Sequence, residues 1–268
     1  MRRAFISIAL CIGAAACGGG TALEGSELGA PTPASTSTSA PIATSTTTTV
    51  PPTTTTTVAP PLVAEDLPEG ETLVVKSRAE VDVFTERGDD KPFMTLDATT
   101  IVGTPTVLAV VEGPHDGWAR VMLPIRPNGS EGWIEVDEMK AFVVDGEIVV
   151  DLSELTLTYF EQGEAVLTTP VAVGTSSNQT PTGSFFVTDN VTLANPSSPW
   201  GPHALGLSAR SDSITEYNGG DGIIGIHGTN RPGSIGNPVS LGCVRVPNEV
   251  ITRLHRMVTI GTPVQINA

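Results

Sequence analysis

Cysteine is scarce in this chain, since its 268 residues contain only three. Cys11 and Cys17 lie in the apolar N-terminus, and Cys243 lies near the other end. Cysteines this dispersed argue against a disulfide framework and a zinc cluster, so we predict no metal and no cofactor. They leave Cys243 as a single thiol and a candidate for chemistry.

Positive charge is scarce as well. The chain has 14 lysine and arginine residues against 29 aspartate and glutamate residues, which gives a formal net charge of -15. A surface of that sign repels phosphates and argues against nucleic-acid binding. The partner is therefore expected to be something other than DNA or RNA.

Long hydrophobic runs are missing too. The apolar stretch 4–16 follows Arg2 and Arg3 and is too short to cross a bilayer of about 30 Å, which is typical of a secretory signal peptide. It ends in Ala-Ala-Ala-Cys-Gly-Gly, which resembles a bacterial lipoprotein cleavage site and would make Cys17 a lipidated N-terminus. The alternative is an ordinary signal peptide whose cysteine is discarded.

Charge of either sign is absent from residues 31–62, which consist of Pro, Thr, Ser and a few apolar residues. Such a segment cannot bury enough surface to offset the entropy of ordering it. We predict a disordered stalk over residues 18–66, which as extended polyproline would reach on the order of 100 Å. A spacer of this kind suits a domain that a lipid anchor holds near a membrane.

The rest of the chain is rich in short β-branched or alternating runs separated by Gly, Pro and Asp turns, which predicts a mostly β fold. From residue 142 we expect a mostly antiparallel sheet that closes on itself as a β-sandwich or barrel. One short helix is predicted, capped by Asn248, because the apolar residues between 250 and 258 fall on one face.

Residues 117–134 contain a tryptophan strand, an Asn-Gly turn and a Gly-Trp-Ile strand. This pattern resembles the hairpin of a bacterial SH3-like barrel. We therefore predict a small SH3-like barrel over residues 67–140, followed by a catalytic domain over residues 141–268. Trp118 and Trp133 are expected to pack within the barrel.

A histidine precedes the thiol of Cys243. Residues 222–226 predict a strand that runs into His227, and a loop rich in Gly, Pro and Ser over 231–238 leads back to the thiol. An imidazole can take the thiol proton and stabilise the thiolate, which is the nucleophile. Gly242 would let backbone N–H groups face a developing oxyanion. On composition alone, a small buried thiol and a hydrogen-bonded histidine are an equal alternative.

Residues 142–267 resemble the catalytic domain of the L,D-transpeptidases, the YkuD family. The resemblance lies in four pieces, at Thr180–Gly183, Trp200–Leu207, Ile226–Thr229 and Ser240–Arg245. It implies an acyltransferase that crosslinks peptidoglycan. In that family the cysteine attacks the bond after the third, diamino-acid residue of a donor tetrapeptide and releases D-alanine. The acyl group then passes to the side-chain amine of an acceptor stem.

The resemblance implies a role for each matching position. Cys243 would be the nucleophile, and His227 would be its general base and later acid, oriented by the backbone around Gly228. The backbone of Gly242 and Cys243 would supply oxyanion donors. Ser240 would shape the loop.

Three further positions stay open. Arg245 anchors either the loop or a substrate carboxylate. His203 lies in the substrate-side strand region or is simply a polar residue at a sheet margin. Leu241 departs from the family, which usually has a second histidine there. Because leucine donates no hydrogen bond, thiolate stabilisation or substrate recognition is expected to change while activity persists.

The predicted protein is a monomer of the cell envelope, outside the cytoplasm, that acts on peptidoglycan peptide stems. Two other functions stay open. In an L,D-carboxypeptidase, water would replace the acceptor amine, and site exclusion decides between the two. A non-enzymatic wall-binding module is the other alternative.

Overall fold

A computed structural model describes residues 62–217 and 220–268 of the chain. The predicted signal peptide, the lipidation site at Cys17 and the stalk up to residue 61 lie outside the described residues. Within the described part, no helix is both long and apolar enough to cross a membrane.

The folded part begins earlier than the sequence predicted. Ala64–Asp66 form a short 3-10 helix, and Ala64 packs against the first hydrophobic core. The carboxylate of Glu65 accepts the N–H of Gly113 at 3.0 Å. Residues 62–66 therefore belong to the first folded region and not to the stalk.

The first folded region, residues 62–144, is built from short strands. They are β1 (Thr72–Lys76), β2 (Val81–Val83), β3 (Met94–Leu96), β4 (Val107–His115), β5 (Trp118–Met122), β6 (Glu131–Glu135) and β7 (Lys140–Val144). Five of them form an antiparallel sheet in the order β6-β5-β4-β1-β7, and β2 pairs with β3. Because β7 belongs to this sheet, the boundary predicted at residue 140 lies four residues too early.

The second region, residues 145–268, holds the only α-helix of the described residues. Its elements are β8 (Gly146–Asp151), β9 (Thr156–Glu161), β10 (Glu164–Pro170), β11 (Val173–Gly174), β12 (Gly183–Thr192), β13 (His203–Arg210), β14 (Ile223–His227), β15 (Pro238–Ser240), β16 (Val244–Arg245), α1 (Asn248–Met257) and β17 (Pro263–Asn267). Eight strands form one sheet in the order β10-β9-β8-β17-β12-β13-β14-β16. Within this sheet, the pairs β8/β17 and β14/β16 are parallel and the other pairs are antiparallel. Strands β11 and β15 form a separate parallel pair.

Alternation along β13 separates the two faces of this sheet. Leu205 and Leu207 belong to the main core, which α1 covers with the fully buried Ile251 and Leu254. The intervening positions of β13 face the other side, as expected for a strand. The described residues therefore form a mostly β fold with one helix, as predicted from the sequence.

The two regions share a buried boundary. Phe186 of β12 is fully buried in the core of the first region. Thr100, from the segment between β3 and β4, donates its Oγ1–H to the carboxylate of Asp189 in β12. Part of the first region therefore lies directly beside the sheet that carries the predicted site.

Candidate active site

Parallel pairing of β14 with β16 brings the predicted imidazole and thiol together. Ile226 is in register with Val244, and His227 with Arg245, so Cys243 is level with Gly225. Positions 225 and 227 face the same side of β14 because side chains alternate along a strand. His227 and Cys243 both line one cavity of about 100 Å³.

The imidazole of His227 is held in one orientation. It is 5% exposed, and its Nδ1 lies 2.6 Å from the carbonyl oxygen of Gly228. A carbonyl oxygen only accepts, so Nδ1 carries the proton and Nε2 of the neutral ring keeps its lone pair. The Trp200 ring lies against the imidazole with a centroid separation of 4.4 Å. The free Nε2 is therefore the proton acceptor of the ring.

Burial shifts both groups toward their neutral forms. It is the main cause that lowers the pKa of His227 to about 4, a shift that the hydrogen bond to Gly228 opposes and the charge of Arg245 adds to. Burial also raises the pKa of the Cys243 thiol, although a hydrogen bond from the Gly225 backbone and the Arg245 charge oppose this. Both shifts favour the neutral forms of the resting site, a thiol and a neutral imidazole.

Two hydroxyl groups fix the loop that carries Cys243. Ser240 donates its Oγ–H to the Cys243 carbonyl oxygen at 2.6 Å and accepts the Gly242 N–H at 3.1 Å. Thr180 donates its Oγ1–H to the Gly242 carbonyl oxygen at 2.7 Å and accepts the Gly174 N–H at 2.9 Å. Gly242 has a φ of 120°, which L side chains rarely adopt, so this loop requires glycine there.

One predicted role does not fit this arrangement. The Gly242 N–H donates to Ser240 within the loop, so in this conformation it is not free to bind an oxyanion. Of the two backbone donors expected from the sequence, the Cys243 N–H is the remaining candidate.

Helix α1 supports the segment after His227. The Asn248 side-chain oxygen accepts the Thr229 N–H at 2.8 Å. A Cβ on Gly228 would lie 2.3 Å from that same oxygen, so only glycine permits this approach. Asn248 makes no capping hydrogen bond to the helix, for which Pro247 is the N-terminal flanking residue. The predicted cap is therefore wrong, and the residue instead holds the loop beside the imidazole.

Arg245 and Leu241 border the cavity. The backbone of Arg245 exchanges two hydrogen bonds with Ala172, at 2.8 and 2.9 Å, and this pairing anchors the loop. Its buried Nε has no hydrogen-bond partner within residues 62–217 and 220–268. Leu241 is 51% exposed beside the cavity. The backbone of Arg245 thus anchors the loop, and the side chain of Leu241 is exposed at the edge of the cavity.

His203 lies away from this cavity. Its ring stacks on His255 of α1 with centroids 4.0 Å apart, and its Nδ1 lies 3.2 Å from the hydroxyl oxygen of Thr192. Burial lowers the pKa of His203, and the charges of His255 and Arg256 act in the same direction. These contacts favour the interpretation as a polar residue at the sheet margin.

The described part of the chain holds no group of three or more His, Cys, Asp or Glu side chains placed to bind a metal. Sequence reasoning missed three contacts at the site. Trp200 and Thr180 appeared only as matching pieces, and Asn248 only as a helix cap. No local pattern indicates such contacts, because each joins segments at least 19 residues apart.

Comparison with known proteins places residues 145–266 in a family described as the L,D-transpeptidase catalytic domain, YkuD. A Bacillus subtilis protein named as the L,D-transpeptidase YkuD is 36% identical over 126 residues, which are 47% of this chain and 68% of that protein. The Bacillus licheniformis protein of the same name is 39% identical over 119 residues, which are 44% of this chain and 64% of that protein. A solved mutant L,D-transpeptidase of Enterococcus faecium matches 46% of this chain and 50% of its own at 25% identity, with a TM-score of 0.36. The chain thus spans about half to two thirds of the length of these relatives.

Proposed function

Because this chain belongs to the YkuD family of L,D-transpeptidases, we propose that it transfers acyl groups between peptidoglycan peptide stems through Cys243. The observation that carries the proposal is the shared cavity, in which Cys243 lies on the side of the sheet where His227 presents a free Nε2. Both groups are neutral at rest, which suits general-base attack by a thiol.

In the acylation step, Nε2 of His227 takes the Cys243 proton as Sγ attacks the carbonyl carbon of the bond before the terminal D-alanine. The carbonyl oxygen becomes an oxyanion, for which the Cys243 N–H is the candidate donor. The C–N bond then breaks, and the imidazolium gives its proton to the departing D-alanine nitrogen. A thioester on Cys243 results, and the hydrogen bond from His227 Nδ1 to Gly228 keeps the ring in place throughout.

In the transfer step, the side-chain amine of an acceptor stem attacks the thioester carbon. His227 takes a proton from the attacking nitrogen, the C–S bond breaks, and the Cys243 thiol recovers that proton. Arg245 lines the same cavity, and its guanidinium would attract a stem carboxylate there. The product is a crosslink between two stems.

The remaining parts of the chain fit an envelope protein. We propose that residues 1–17 direct export, with Cys17 as a lipid anchor, and that the uncharged stalk carries a monomeric catalytic region toward the wall. The first region, with its five-stranded sheet and two-stranded ribbon, would be the small SH3-like barrel. Peptidoglycan stems are then the partner, and no cofactor is required.

Covalent trapping tests the nucleophile. Incubation of the full chain with a carbapenem, followed by intact mass measurement, should give one adduct that Cys243→Ala abolishes. Supplying donor and acceptor stems together should give a crosslinked dimer by mass. An adduct with trimmed monomers alone would identify a carboxypeptidase. No adduct, together with retained binding to cell walls, would reject the enzyme and favour a wall-binding module.

A further inference from the structure

A row of four residues crosses the sheet from the thiol to a carboxylate. Strands β12, β13, β14 and β16 are neighbours in this order. Asp189 is in register with Gly206, and Gly206 with Gly225. Gly225 is level with Cys243, because Ile226 faces Val244 one position later. The row has a carboxylate at one end and a thiol at the other, and its two middle residues are glycines without side chains.

The two glycines in the middle of this row form the floor of an apolar groove. A cavity of about 430 Å³ covers Gly206 and Gly225 and extends along Val191 and Leu193. Ile101, which is 68% exposed, lines it from the first region. We call this cavity the glycine groove. It adjoins the catalytic cavity, because Trp200 and Ile223 line both.

Asp189 reaches this groove because of an irregularity in β12. The register shifts between Val187 and Asp189, as expected for a bulge that re-aims a side chain. One carboxylate oxygen of Asp189 lies 3.0 Å from where a Cβ on Gly206 would stand. The carboxylate thus leans along the row toward Cys243.

Asp189 is a buried carboxylate without a cation. It is 5% exposed, and it accepts hydroxyl hydrogen bonds from Thr100 at 2.6 Å and from Thr188 at 2.8 Å. No Lys, Arg or His of the described ranges forms an ion pair with it, and Arg210 nearby is paired with Asp221. Buried charges are normally paired, and a carboxylate has about four acceptor sites. A ligand cation in the groove would complete this environment.

The distance between Cys243 and the Asp189 carboxylate matches the length of a diamino-acid side chain. Adjacent strands lie about 4.8 Å apart, so the carboxylate at Gly206 is roughly 10 Å, or two strands, from Cys243. In a diamino acid such as lysine, six bonds of about 1.5 Å join the carbonyl carbon to the distal nitrogen, which spans about 7.5 Å when extended. A charge-assisted hydrogen bond of about 2.8 Å brings the reach to about 10 Å.

We infer that Asp189 binds the distal ammonium of the donor's diamino acid, whose aliphatic chain lies along the glycine groove while its carbonyl carbon meets Cys243. This inference rests on the proposed function, since it names the donor side chain that the same site accepts. Gly206 and Gly225 keep the floor clear for that chain. Asp189 therefore acts as a specificity residue that selects a donor whose third residue carries a positive charge at the end of a side chain of this length.

Binding of synthetic stems tests the inference without requiring turnover. In the full chain carrying Cys243→Ala, calorimetry compares tetrapeptide stems whose third residue is lysine, ornithine or norleucine. Lysine should bind about tenfold or more tighter than norleucine, as expected for a hydrogen bond between charged groups. Ornithine, one methylene shorter, should fall between them. Equal affinities for lysine and norleucine would overturn the inference.

Two further variants separate recognition from a structural role. Asp189→Asn should remove the preference for lysine over norleucine. Thr100→Val breaks the contact between the two regions but keeps the charge, so it should retain most of the preference. If Thr100→Val abolishes the preference as fully as Asp189→Asn does, Asp189 is only a tether and the inference is wrong. Carbapenem adduct formation by the chain with native Cys243 reports separately on the proposed function.

Discussion

The two faces of the sheet around β13 carry histidines in opposite situations. On the groove face, Nδ1 of His227 is hydrogen-bonded to the Gly228 carbonyl oxygen, and the residue lines a cavity shared with Cys243. On the helix face, His203 and His255 stack on each other, and both rings contact the hydroxyl of Thr192. The histidines of the helix face contact each other and a shared hydroxyl, whereas His227 lines a cavity that Cys243 also lines.

Glycine makes this difference between the faces. On the groove face, Gly206 and Gly225 leave no side chains between Asp189 and Cys243. On the other face, α1 covers the sheet with Ile251 and Leu254. His227 is also buried, whereas His203 and His255 are partly exposed. His227 further differs in having a tautomer fixed by the Gly228 carbonyl and a cavity shared with the Cys243 thiol.

Replacing one histidine on each face should give the largest difference in acylation rate. His227→Gln removes the general base, so acylation of the protein by a carbapenem should slow by about a thousandfold. His255→Gln should change the rate less than about threefold, because this ring hydrogen-bonds to Thr192 and Asn190 and stacks on His203, outside the cavity that Cys243 lines. Stopped-flow or mass-based acylation rates measure both.

Equal losses in these two variants would show that the helix face takes part in the reaction. Melting curves for both proteins are the control, since a rate lost together with the fold carries no information about catalysis.

The pH dependence of the acylation rate tests whether His227 is neutral at rest. With a pKa of about 4, His227 stays neutral above pH 5.5, and the acylation rate should be flat from pH 5.5 to neutrality. An imidazole with an ordinary pKa near 6.5 would instead cost about tenfold at pH 5.5. A rate that falls with a midpoint near 6.5 would contradict the buried, neutral base.

The same shift predicts a change in stability with a definite sign. The pKa of His227 is lower in the folded chain than in the unfolded chain, so the unfolded state binds more protons between the two values. The stabilisation is present above about pH 6.5 and is lost toward pH 4, by about 3 kcal/mol in all. Urea unfolding of the native chain and of His227→Gln at both pH values measures it. The variant should lack this part of the dependence.

The sequence predicted the mostly β fold and the proximity of Cys243 and His227 better than it predicted the supporting contacts. The motif around Cys243 and the strand before His227 are local patterns, and the structure brings both residues to one cavity. The predicted boundary between the two domains was less accurate, because β7 extends past residue 140 and still belongs to the first sheet. Asn248 was misassigned, since a residue with a strong capping preference can serve a tertiary contact instead. The remaining contacts depend on which residues of neighbouring strands face each other, and a single sequence does not show this register.

Two asparagines give the smallest and most discriminating test of the two faces. Asn248 accepts the Thr229 N–H two residues after His227, and Asn190 donates to the carbonyl oxygens of His255 and Val258 at the end of α1. Each Asn→Ala change leaves partly buried backbone groups without a partner, so both should destabilise the fold by about 1–3 kcal/mol.

Their effects on the reaction should differ. Asn248→Ala frees the segment that holds the Gly228 carbonyl, so the imidazole loses its fixed orientation and the acylation rate should fall by about tenfold. Asn190→Ala loosens only the far end of the helix and should leave the rate within about twofold once the protein is folded. Comparing rates at a temperature where both variants are more than nine-tenths folded removes the shared stability effect. If Asn190→Ala slows acylation as much as Asn248→Ala, helix α1 acts on the site as one rigid body, and the division between the two faces would have to be abandoned.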